Sequence, residues 1–95
     1  MKIGDTLGFK VSGKDATGAN MVLTTQNVQV TLSDGTLGTV GPHPDGVAYH
    51  YLFTATADGD EVITASDPDL PNVTPATLDE TIEADLASLV ITPDV

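Results

Sequence analysis

Cysteine and tryptophan are missing from this chain of 95 residues, and tyrosine and phenylalanine occur only twice each. Without cysteine, no disulfide can join two sheets as it does in antibody domains, although that absence identifies no redox compartment. With so few rings, a core has to be built mostly from Val, Leu, Ile and Ala. A chain of this length forms one domain and buries only about 60–65% of the surface its unfolded state exposes. The core is therefore expected to be thin, with stability resting on aliphatic packing and strand ladders.

Basic residues are equally scarce. Lys2, Lys10 and Lys14 stand alone against 14 acidic side chains, for a formal charge of −11. A surface of that sign repels phosphate backbones and anionic lipid headgroups, so neither nucleic acid nor membrane is an expected partner. No apolar run approaches the length of a membrane span. Gly4 and Asp5 interrupt the N-terminus before any apolar signal segment can form, which predicts synthesis and release in the cytoplasm.

Two stretches carry the strongest pattern: residues 27–38 (NVQVTLSDGTLG) and 45–66 (DGVAYHYLFTATADGDEVITAS). Each alternates apolar with polar or small residues, the period-two signature of a strand with one face on a core. Each is punctuated by Asp-Gly, which supplies the positive φ that two-residue hairpin corners need. An all-β fold follows, an antiparallel sandwich of about seven to nine strands. Strands are expected over residues 6–11, 21–23, 28–33, 36–40, 48–55, 60–65, 77–84 and 86–92. Asp58-Gly59 is expected to close a hairpin, and residues 67–75 (DPDLPNVTP) form a connection too rich in proline for a central strand. Leu7, Phe9, Val28, Val30, Leu32, Tyr49, Tyr51, Phe53 and Ile63 are the expected core. Residues 1–85 make the sandwich, and residues 86–95 a terminal strand or tail that pairs at its own sheet edge or on a neighbouring subunit.

Catalytic chemistry finds little support. Ser33 or Ser66 with His43 or His50 and an aspartate makes a triad on paper, but no G-x-S-x-G elbow is present. His43 and His50 are too few for a transition-metal site by themselves. His50 is expected on the outer face of its strand, and His43, between Pro42 and Pro44, at a stiff loop tip; either suits a contact residue. Asp58/Asp60 and Asp67/Asp69 have D-x-D spacing that suits calcium, yet aspartate is also a preferred turn residue because it accepts bonds from nearby amides. The expectation is no enzyme activity, no cofactor and no metal. A sugar-binding platform would need Tyr49, Tyr51 and Phe53 in solvent, where the core needs them inside. Asn72-Val73-Thr74 matches a glycosylation pattern, expected to be a coincidence because no export signal is expected.

The stretch from Asp15 to Ser66 resembles bacterial immunoglobulin-like domains of the invasin and intimin type. The matching features are the turn at Asp15, Gly18 and Asn20, the Leu37-Gly38 corner, the Asp45-Gly46 turn into a long strand, and the Gly59 turn into Ile63-Thr64-Ala65-Ser66. Asp45, Tyr49 and Tyr51 also resemble the tyrosine corner of such sandwiches. Among unexported proteins with this fold, the resemblance is to small decoration proteins of tailed phages. It implies a non-enzymatic structural protein of the virion, on the head, bound to the major capsid protein or another virion protein and open to homo-oligomerisation. The alternatives are a single domain of a bacterial surface adhesin and a carbohydrate-binding module. The partner surface is expected where acidity is lowest: Lys2, Lys10 and Lys14 at one end, and Leu86, Leu89 and Ile91 at the other.

Overall fold

The structure is a computed structural model that describes residues 1–86 and 88–94. It is all-β, with eight strands and no helix among the described residues. The strands are β1 (Thr6–Lys10), β2 (Gly13–Lys14), β3 (Asn20–Met21), β4 (Gln29–Leu32), β5 (Gly38–Pro42), β6 (His50–Ala55), β7 (Gly59–Ser66) and β8 (Ala76–Ile82). Two three-stranded sheets, ordered β1-β6-β5 and β4-β7-β8, make a sandwich-like body, and β2 and β3 pair as a separate ribbon. Every strand pairing is antiparallel.

The alternation in β6 does what it predicts. Phe53 and Ala55 are buried, with Tyr51 partly so. Antiparallel partners share a sheet face, so Leu7 and Val40 flank Phe53 from β1 and β5, and Phe9 stands beside Tyr51. The second sheet supplies Ile63 and Ile82, with Val30 and Leu32 packed against them. Among the described residues, only Phe53, Ala55, Ile63 and Ile82 are fully buried apolar side chains. The core is thin, as the composition requires.

Gly38 allows the closest approach in that core. A Cβ there would stand 2.6 Å from Phe53 Cε1 and Cζ and 2.5 Å from the Thr54 carbonyl oxygen. The Phe53 ring lies directly over the glycine backbone.

Several local expectations give way to tertiary structure. Asp58-Gly59 closes no hairpin: β6 lies in one sheet and β7 in the other, so the turn carries the chain between sheets. Gly59, at φ +139°, makes that passage against the Leu37 side chain. Asp34-Gly35 likewise joins β4 to β5 across the sandwich. There Asp34 Oδ1 accepts bonds from the Thr36 N–H (2.9 Å) and hydroxyl (2.6 Å), a side-chain turn in place of the type I′ corner. Only Asp45-Gly46 lies between strands that pair with each other, β5 and β6.

The strand expected from residue 48 starts at His50, because Tyr49 adopts φ +60° and breaks the alternation. Strand β5 runs on to Pro42, into what reads as loop; it is a sheet edge, where proline's missing N–H costs no ladder bond. The expected strand over residues 86–92 does not form among its described residues, which pair with nothing. A β-branched run becomes a strand only beside a partner edge, and its own domain offers none that it uses.

The N-terminal residues instead run alongside the end of β8. Lys2 bridges Glu83 in parallel, the Glu83 N–H donates to Met1 O (2.8 Å), and the Met1 amine donates to Thr81 O (3.0 Å). The radius of gyration is 17.6 Å, against about 12–13 Å for a compact chain of this length. The long axis of 61 Å reflects the same extension.

Candidate functional site

The densest convergence of chemically versatile side chains lies at the β5–β6 hairpin. Pro42 pairs with Tyr51, and the next rung is a bond from the His43 N–H to His50 O at 2.9 Å. His43 and His50 are therefore cross-strand neighbours, and their rings stack in parallel with centroids 4.1 Å apart and an interplanar angle of 1°. Asp45 reaches both. Its Oδ2 lies 2.5 Å from His50 Nδ1, and its Oδ1 lies 3.3 Å from His43 Nδ1.

Backbone bonds hold the loop around these groups. The Asp45 N–H donates to His43 Nδ1 (3.1 Å), the Val47 N–H to Asp45 Oδ1 (3.0 Å), and the Gly46 N–H to His43 O (3.2 Å). Gly46, at φ +74°, makes the bend. The Val47 amide holds the Asp45 carboxyl below its usual range against an opposing desolvation, with smaller help from the His50 bond and the two nearby imidazoles. Both rings lie over Gly8 of β1, with His43 Nε2 3.5 Å and His50 Nε2 3.8 Å from where its Cβ would be. The glycine lets the rings lie flat on the outer sheet face, where His50 is expected.

Sequence reasoning treats these two histidines as separate contact residues. Their union depends on the β5–β6 register: a two-residue turn at Asp45-Gly46 would set His43 opposite Ala48, and the longer loop that forms, with Pro42 paired to Tyr51, sets it opposite His50.

The tyrosine corner implied by the resemblance does not form. The Tyr49 hydroxyl donates to Gln26 O at 2.9 Å, tying the hairpin to the loop before β4. Phe9 and Tyr51 stack on each other with centroids 5.7 Å apart, and burial, with a smaller push from Tyr49, raises the Tyr51 hydroxyl above its usual pKa. With Phe53 wholly buried, these rings present no shared sugar platform.

The remaining sequence candidates are scattered. Lys2 pairs with Glu83 at 3.5 Å. Lys10 ends β1 opposite His50, and Lys14 Nζ donates to Asn20 Oδ1 at 3.0 Å across the ribbon. Leu86, Leu89 and Ile91 are 78%, 84% and 98% exposed. Ser33 is engaged with a carboxylate, donating to Glu61 Oε1 at 2.6 Å. Asp67 accepts the Asp69 N–H (2.9 Å), and Asp60 accepts the Thr81 hydroxyl (3.0 Å), both ordinary turn and ladder roles.

Glu61 itself was missed. It is 1% exposed, and its Oε1 also accepts the Asp34 and Val62 N–H groups, each at 3.0 Å. It shares parity with Ile63 on β7, which is the signal that puts it inside. Compared with known protein families, curated proteins and solved structures, the chain matches none of them.

Proposed function

We propose that this chain is a non-enzymatic structural protein of a tailed-phage virion, a head decoration protein held to the outer capsid through its apolar C-terminal segment. The observation that carries the reading is that segment. Leu86, Leu89, Val90 and Ile91 are each at least 78% exposed, beyond β8 of a domain with four buried apolar side chains among the described residues. Burying one Leu or Ile side chain is worth about 1.5–3 kcal/mol, and an extended β-branched run is a ready strand for an exposed sheet edge on another protein. A capsid subunit is the occupant chosen, because the resemblance points to virion proteins and the acidic body disfavours nucleic acid and anionic membranes.

Lys2 and the N-terminal residues lie beside the end of β8, just before that segment. Lys2 is paired there with Glu83 at 3.5 Å. The sugar-binding alternative loses its platform, since Phe53 is internal and Tyr51 stacks on Phe9.

The test is truncation after Asp85. The shortened protein should keep its β-sheet circular dichroism and fail to cosediment with particles of the parent phage, while the full chain cosediments. Unchanged attachment of the truncated protein overturns the proposal, as does cryo-electron microscopy of those particles with no density for this chain.

A further inference from the structure

We infer that His43, Asp45 and His50 form a binding site for a divalent transition-metal cation of the zinc class at the tip of the β5–β6 hairpin. One imidazole nitrogen from each histidine and a carboxylate oxygen of Asp45 all lie within 4.8 Å of one another. Among the described residues no other group of such side chains converges this closely. A tetrahedral ion with bonds of about 2.0–2.1 Å spaces its ligands about 3.3 Å apart. His43 Nδ1 and Asp45 Oδ1 already stand at 3.3 Å, and with no pair wider than 4.8 Å the widest closes by about 1.5 Å at most.

The donor chemistry selects the class. Two neutral imidazoles and one carboxylate suit zinc, cobalt, nickel or copper. Calcium asks for six to eight oxygens and magnesium for an octahedral shell of them. Three protein ligands leave a fourth position for water or for a group from a partner.

The scaffold is built before the ion arrives. Cross-strand positions bring Cβ atoms within about 4.5–5.5 Å of each other, and the His43–His50 rung is closed by a backbone bond of 2.9 Å. Pro42 and Pro44 fix φ on either side of His43, and the Val47 amide pins the carboxylate. The motion required is a tilt of the two rings out of their parallel stack, since lone pairs in parallel planes cannot aim at one point; the same tilt turns His43 Nδ1 away from the Asp45 N–H it accepts and opens the His50 Nδ1–Asp45 Oδ2 contact. Rotation about the histidine χ2 is soft enough to supply it. The overall charge of −11 favours the cation; Lys10, opposite His50 on β1, opposes it with an ammonium that its long stem can carry into solvent.

This inference stands independently of particle attachment. Calorimetric titration of the full chain with zinc chloride should show one saturable site per chain. His43→Gln, Asp45→Asn and His50→Gln should each weaken it at least tenfold, while Asp58→Asn with Asp60→Asn leaves it within twofold. Should a variant fail to fold, the unmodified protein still decides: with protein in excess, cobalt(II) should develop the intense visible bands of a tetrahedral ion. No saturable zinc binding, binding that survives His43→Gln with His50→Gln, or a cobalt spectrum identical to the aquo ion overturns the assignment.

Discussion

Gly38→Ala is the sharpest probe of the core. The new methyl would sit 2.6 Å from two Phe53 ring carbons and 2.5 Å from the Thr54 carbonyl oxygen, well inside carbon–carbon contact at about 3.5–4.0 Å. The ring cannot swing away into water, because it is fully buried against Ile63 and Ile82. The carbonyl cannot retreat either, because Thr54 is paired on both sides, with Thr6 and Thr39. Relief therefore requires β5 to move off β6, and overpacking of this kind costs about 1–3 kcal/mol. A domain of this size has about 5–14 kcal/mol in total. In urea, with a slope of about 1–1.5 kcal/mol/M, a loss of about 2 kcal/mol lowers the unfolding midpoint by roughly 1.3–2 M.

The double mutant separates the two contacts. In a Phe53→Leu background the ring contact is gone and the carbonyl contact remains, so the glycine substitution should cost less without becoming neutral, with a coupling energy of about 0.5–3 kcal/mol. A midpoint for Gly38→Ala within about 0.2 M of the unmodified protein would refute the reasoning, and so would strict additivity of the two substitutions.

Glu61→Ala strands the Ser33 hydroxyl and the Asp34 amide beside an emptied pocket, while the Val62 N–H keeps Ser33 Oγ as an acceptor; it should cost about 2–4 kcal/mol, read from the same urea transition. Acid should erode stability through Asp15 and Asp34. The hydroxyl and then the amide of Thr17 lower the first carboxyl below 3.8, and the hydroxyl and then the amide of Thr36 lower the second. Because each folded-state pKa is below its unfolded value, the stabilisation is complete above the unfolded pKa and is lost as pH falls through the folded one. Melting temperatures followed downward from about pH 5 should therefore fall, and Asp15→Asn with Asp34→Asn should flatten that fall; an unchanged slope in the double variant counts against it.

What local sequence determined is the strand content and the facing of side chains. In residues 50–55 the period of two suffices to send Tyr51, Phe53 and Ala55 inward and His50 outward, because pleating alone sets that alternation. The same rule accounts for Glu61, which sequence reasoning missed although it shares parity with Ile63, and Gly59 marked a turn that needs positive φ. What only tertiary structure decided is which edge each strand meets. Asp34-Gly35, Asp45-Gly46 and Asp58-Gly59 are identical dipeptides, yet only the middle one closes a hairpin, since a turn's residues set its bend and not the sheet that receives the next strand. The His43–Asp45–His50 cluster followed from that one pairing. Residues 86–92 show the converse: their strand propensity is real, but backbone bonds in a strand belong to two chains or two segments, and the described residues of the run form no strand and stay exposed.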